Sequence, residues 1–160
     1  METQKEFLIL LNYAYRYISY RMRTEQEVRN YLLQKAEKRS IAGFFIDSVI
    51  KRLVEDNYIN DDLFIDEYVS ARLKSKPKST YVLTLELLQK GVQQEKINSY
   101  FELHALNEES FAKKALEKKW SIYKNQTKEM RFKKASDFLR RRGFSFSIIK
   151  KTIEELESAE

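Results

Sequence analysis

Apolar side chains recur every three to four residues through almost the whole chain, the period at which one face of an α-helix is buried. Phe7, Leu11, Ala14 and Ile18 mark a first helix, Val28, Leu32 and Leu33 a second, and Ile46, Val49, Ile50 and Leu53 a third. Thr24 and Glu27 stand at capping-box spacing ahead of the second helix, so the first stops near residues 21–23. A second set opens at Asn60-Asp61-Asp62, whose short polar side chains suit a helix N-terminus, and carries Phe64, Ile65, Tyr68 and Val69. Lys76-Pro77-Lys78 interrupts it. Ser79-Thr80 then opens a helix bearing Val82, Leu85 and Leu88, Gly91 supplies a left-handed terminus, and a further helix runs through Ile97, Tyr100 and Phe101. A third set begins near Asn107 and passes through Phe111, Ala112, Ala115 and Leu116, then Phe132, Ala135, Phe138 and Leu139 up to Gly143, then Ile148, Ile149, Ile153 and Leu156.

Three helices thus come three times. Tyr31-Leu-Leu-Gln-Lys-Ala36, Glu86-Leu-Leu-Gln-Lys-Gly91 and Asp137-Phe-Leu-Arg-Arg-Arg-Gly143 lie over one another, with their last leucines, Leu33, Leu88 and Leu139, 55 and 51 residues apart. Repeats of this length bury an apolar face against their neighbours. The pattern predicts an all-α protein of three tandem three-helix repeats, over residues 1–60, 61–106 and 107–160, in one continuous, elongated and curved array. The competing arrangement is a compact nine-helix bundle.

Composition sharpens this. Only 3 Gly and 1 Pro occur in 160 residues, too few for a chain of tight hairpins, and the absence of Cys excludes disulfides and thiolate metal sites. No signal-peptide pattern opens the chain, which fits a reducing cytoplasm. The apolar run Phe7-Leu-Ile-Leu-Leu11 is far short of the roughly 20 residues a membrane span needs. A net charge of +6 points to a polyanionic or acidic partner. Catalysis is disfavoured: His104 is the only histidine, and Gly43, Gly91 and Gly143 are too scattered to cradle a phosphate. The acidic cluster at residues 55–62 lacks the ligand spacing of a calcium loop and reads as helix capping, so neither a metal nor a cofactor is expected.

Four blocks, in order, resemble the RecX family of recombination regulators. Leu11-x-x-Ala14-x-x-Tyr17-Ile18-x-x-Arg21-x-Arg23-Thr24-Glu25-x-Glu27-Val28-Arg29 is similar to its opening signature, and Tyr58-Ile59-Asn60-Asp61-Asp62-x-Phe64-x-x-x-Tyr68-Val69-x-x-Arg72 to its most recognisable stretch. Leu85-x-x-Leu88-x-Lys90-Gly91-Val92 and Phe138-Leu-Arg-Arg-Arg-Gly-Phe-Ser145 match the ends of its fifth and eighth helices. The chain departs at the start of the fifth helix, where the family usually has a glycine and an arginine and this chain has Lys78-Ser-Thr-Tyr-Val82. The resemblance implies a monomer, without enzymatic activity, that lies along a RecA-type recombinase filament on single-stranded DNA and limits its ATP hydrolysis, strand exchange and extension. Weak direct DNA binding is compatible with the charge. The alternative is a helical DNA-binding regulator acting without a recombinase, using residues 140–147 as a helix-turn-helix-like unit.

Candidate binding residues follow from the charge distribution. The third repeat concentrates lysine and arginine, with only Glu117, Glu129 and Asp137 opposing them between Phe111 and Lys151. Lys118, Lys119, Arg131, Lys133, Lys134, Arg140, Arg141 and Arg142 are its candidates, and Arg140–Arg142 are expected to be largely exposed at a helix end. Arg16, Arg21, Arg23 and Arg72, with Lys90 from the fifth-helix motif, form a second set. Tyr13, Tyr15, Tyr17 and Tyr20 crowd the first helix on more than one face and are assigned mainly to packing, as is Trp120.

Overall fold

The computed structural model describes residues 2–159. Among them the chain forms nine helices and no strand: α1 (Glu2–Ile18), α2 (Glu25–Glu37), α3 (Phe44–Glu55), α4 (Asp61–Ser75), α5 (Thr80–Gln89), α6 (Gln94–Leu103), α7 (Glu108–Tyr123), α8 (Lys128–Arg140) and α9 (Phe146–Ser158). They make an all-α array of three-helix repeats. None of them is long and apolar enough to cross a membrane.

The boundaries have local causes. Thr24 caps α2 by accepting from the Glu27 N–H at 3.1 Å, while Glu27 Oε2 accepts from the Thr24 N–H at 3.1 Å. Asn60 accepts from the Leu63 N–H, Asn107 from Ser110 and Ser145 from Ile148, each satisfying one of the free donors of a helix start. Second helices end alike. The N–H groups of Ile41, Val92 and Phe144 donate five residues back to Ala36, Leu87 and Leu139. The residues just before them, Ser40, Gly91 and Gly143, all have positive φ. Each terminus is locked by an apolar residue, since Ile41, Val92 and Phe144 are buried.

These termini correct the register read from sequence. Ser40, not Ala36, is the counterpart of Gly91, so true equivalents lie 51 and 52 residues apart. The Leu-Leu-Gln-Lys string had aligned the first two repeats one helical turn out of step. A second correction concerns α5, whose sequence is apolar nearly all round. Leu83 and Leu87 are its buried residues, whereas Leu85 and Leu88 are exposed. In α1, Leu10 and Ala14 are fully buried, and Tyr20 beyond its end is 85% exposed.

The described chain divides into two compact units, one of residues 1–66 and 87–98, the other of 67–86 and 99–160. In the first, α1, α2 and α3 pack on one another around Leu10, Val28, Leu32, Ile46, Val49 and Leu53. In the second, α7, α8 and α9 do so around Leu116, Trp120, Ala135, Leu139, Ile149 and Ile153. The middle triplet is apportioned, each of its helices giving residues to both units.

One joint is built twice, once inside each unit. In the first unit, Thr24 Oγ1 donates to the Lys90 carbonyl at 2.6 Å, and the Glu25 N–H donates to Asp61 Oδ1 at 2.9 Å. In the second, the Ser79 N–H donates to the Arg142 carbonyl at 3.0 Å, and the Thr80 N–H donates to Glu108 Oε1 at 2.7 Å. In both cases the start of a second helix meets the carbonyl preceding the positive-φ glycine of the next repeat. The first residue of that next repeat's leading helix, Asp61 of α4 or Glu108 of α7, supplies the carboxylate. A Cβ on Gly91 would overlap the Gln26 side chain at its root, and one on Gly143 would overlap Ser79 and Val82. Close approach demands glycine there. At Ser40, which precedes any neighbouring repeat, a side chain is tolerated in exposed surroundings.

Candidate binding surface

Each joint is lined with basic residues, because the loop before the second helix and the end of the next second helix are both cationic. The first joint neutralises its own. Arg21 grips Glu27 through two hydrogen bonds of 2.7 and 3.2 Å, and Lys90 Nζ lies 4.0 Å from the same carboxylate. Burial works against the Glu27 charge, but the Arg21 hydrogen bonds, the Thr24 N–H and the charges of Arg21 and Lys90 outweigh it and hold its pKa below the ordinary value. Burial raises Asp61 above its ordinary value, and the Glu25 N–H and Lys96 offset this only in part. Arg23 lays its guanidinium 4.1 Å over the ring of Tyr17, which stacks on Tyr31 at 4.0 Å. Arg21, Arg23 and Lys90 are therefore built into the fold.

The second joint keeps more charge free. Lys74 lies in the last turn of α4, and the α4–α5 loop brings Lys76 and Lys78 to the end of α8, held there by the Ser79 to Arg142 hydrogen bond and by Arg142 Nη1 donating to the Pro77 carbonyl at 3.1 Å. Glu86 takes Lys78, Arg72 at 3.2 Å and the Tyr68 hydroxyl at 2.9 Å. Lys74, Lys76, Arg140 and Arg141 remain exposed. Among the described residues, only Arg140 of these four has an ion pair, with Asp137 at 3.2 Å.

Arg142 departs from the sequence expectation. It is partly buried, its guanidinium 4.5 Å over the Phe138 ring, and burial followed by the charge of Arg141 lowers its pKa. The arginine run thus supplies two surface cations and one structural one. Arg72 is likewise tied to Tyr68 and Glu86.

The rest of the third-repeat stripe is thinner than its sequence implies. Acidic residues outside the interval fold back onto it: Lys113 pairs with Glu155, Lys151 with Glu109, Lys150 with Glu154 and Arg131 with Glu157. Arg131 also sits 5.5 Å from the Trp120 ring, and Trp120 is a buried core residue. Lys118, Lys119, Lys133 and Lys134 are exposed and carry no ion pair among the described residues. Lys134 donates to Gln126 at 3.2 Å. In the first repeat Arg16 is exposed and lines a shallow groove with Asn12, Tyr13 and Arg39. Sequence reasoning missed Lys74 and Lys76. Lys76 beside Pro77 reads as a helix break, and only the fold carries that segment to Arg142.

Among the described residues no group of three or more His, Asp or Glu side chains could hold a metal ion. His104 sits just beyond α6 with Nδ1 2.9 Å from the Tyr100 carbonyl, and Asp61, expected to cap α4, caps α2 instead.

Known proteins resemble this chain along most of its length. Residues 11–53 match the family model for the first three-helix domain of RecX, and residues 108–153 that for the third. A regulatory protein RecX of Streptococcus agalactiae is 34% identical over 142 residues, covering 88% of this chain and 53% of the relative. One of Bacillus cytotoxicus is 35% identical over 162 residues, covering 98% and 55%. The chain spans about half the length of these curated relatives. The crystal structure of RecX from Lactobacillus salivarius superposes with a TM-score of 0.80 at 25% identity, covering 96% of this chain and 98% of that one.

Proposed function

Because the chain belongs to the RecX family of regulatory proteins, we propose that it binds a RecA-type recombinase filament on single-stranded DNA and restrains it. The reading is of a monomeric cytoplasmic regulator, with repeats over residues 1–60, 61–106 and 107–160, that lowers the filament's ATP hydrolysis, strand exchange and extension without catalysis of its own. The observation that supports it most is chain-wide similarity to regulatory relatives, joined to a third repeat whose Lys118, Lys119, Lys133 and Lys134 face solvent uncompensated. Such cations are drawn to phosphates and acidic grooves by a long-range field. Sequence-specific reading of duplex DNA by α9 has less support. Ser145 spends its hydroxyl on the Ile148 N–H and on Ser147 at 3.0 Å, so two of the first polar groups of a recognition helix are engaged within the fold.

The test is single-strand-dependent ATP hydrolysis by the cognate recombinase. Adding the protein at near-equal ratio should lower the rate several-fold, while the protein alone hydrolyses nothing. Unchanged hydrolysis and strand exchange at saturating protein would remove this reading.

A further inference from the structure

We propose that the second joint is itself a binding site for single-stranded nucleic acid, usable without a recombinase. Its cations are Lys74, Lys76 and Arg141, all exposed and without ion pairs among the described residues, drawn from the last turn of α4, the α4–α5 loop and the end of α8. Phosphates are their natural ligand, and a site made of lysines and an arginine without a carboxylate to spare favours a polyanion. Glu86 is already shared by Lys78 and Arg72, and Asp137 by Arg140.

Two exposed aromatic rings identify the class of polyanion. Tyr81, 67% exposed, lies two residues after Ser79, and Phe146, 68% exposed, lies three residues after Gly143. Ser79 and Gly143 are in close contact, so both rings stand within three residues of the same joint. Exposed rings offer faces on which unpaired bases can stack, and stacking beside a basic track distinguishes a single strand from a duplex, whose bases are already stacked.

The first joint acts as a control inside the same molecule. Counting from the same landmarks, its counterparts of Tyr81 and Phe146 are Gln26 and Gln94, and its cations Arg21 and Lys90 are turned to Glu27. The shared architecture therefore requires neither aromatic rings nor free cations at these places. The second joint carries both as an addition to it.

The experiment measures anisotropy of a 5′-labelled (dT)15 with the full chain, without recombinase, over a salt series. Wild type should bind, and an equal-length duplex should bind more weakly. Replacing Lys74, Lys76 and Arg141 with Ala should lower the log–log salt slope by about 2, at roughly 0.7 per lost phosphate contact. Tyr81→Ala with Phe146→Ala should weaken binding at least about tenfold and leave the slope unchanged. Exchanging Gln26 and Gln94 for Ala should change neither. Circular dichroism checks folding, and Tyr81→Phe with Phe146→Tyr, which keeps both rings, should restore affinity. No binding by wild type, equal affinity for the duplex, displacement by polyglutamate as readily as by unlabelled (dT)15, or an aromatic double variant that binds as wild type would each overturn the proposal. Because the recombinase is absent, these outcomes are separate from those of the ATP-hydrolysis test.

Discussion

Arg142 and Arg141 are adjacent in sequence and opposite in role. The guanidinium of Arg142 reaches Pro77 and the face of Phe138, while Arg141 stays in solvent. A surface test that removes all three arginines would therefore confuse lost contacts with lost folding. Glu27 and Asp61 show the same principle for acids, since both serve the first joint and burial acts on both. Glu27 is held below its ordinary pKa, so its contribution to stability is present above the unfolded value and lost as pH falls through the folded one. Asp61 is raised, so its contribution is full below the unfolded value, about 3.9, and lost as pH rises through the folded one. Urea unfolding across a pH series should show Glu27→Gln weaker than wild type at neutral pH, with the gap closing in acid. Asp61→Asn keeps an oxygen for the Glu25 N–H, and should be at least as stable as wild type at neutral pH. A Glu27→Gln deficit that widens in acid would contradict this account.

At the scale of elements, the second helices of the three repeats share a terminus but not a terminal residue. Left-handed backbone costs a residue bearing a Cβ roughly 1–2 kcal/mol, which glycine avoids. Gly91 and Gly143 bear a second constraint, the close approach of Gln26 and of Ser79 with Val82. Gly91→Ala and Gly143→Ala should each cost about 2 kcal/mol or more, combining strain with overlap. Ser40→Gly relieves strain where no neighbour approaches, and should be neutral or stabilising by up to about 1 kcal/mol. Thermal or urea unfolding of the three variants decides the matter. A cost of Gly91→Ala no larger than the gain from Ser40→Gly would show that backbone conformation alone selects glycine.

For the molecule as a whole, net charge is a poor guide to where it acts. Of +6 overall, much of the third-repeat basic content is met by Glu109, Glu154, Glu155 and Glu157. What remains exposed is the set including Lys118, Lys119, Lys133 and Lys134. Replacing these four with Ala should leave the fold intact, each surface change costing within about 0.5 kcal/mol. Filament binding should weaken and its salt slope should flatten, by up to about 0.7 for each phosphate contact removed. An unchanged slope in a folded variant would mark this lysine group as solvated surface, and would move attention to Arg16 and to the second joint.

Helix content, helix boundaries and the threefold recurrence were legible in the sequence because they rest on local physics. Apolar spacing sets the helices, and Thr24, Asn107, Ser145, Gly91 and Gly143 act through groups within a few residues of themselves. The buried side of α5 was not legible, since Val82, Leu83, Leu85, Leu87 and Leu88 surround that helix and only packing selects among them. Nor was the register of the first repeat, where Ser40 takes a place that glycine marks elsewhere. The binding surface lay furthest from the sequence. Whether a lysine or arginine is free depends on which carboxylate, carbonyl or ring the fold carries to it, and those partners lie up to 65 residues away, as with Arg142 and Pro77, or 63, as with Lys90 and Glu27. Local order follows from neighbours along the chain, whereas free charge is decided by neighbours in space.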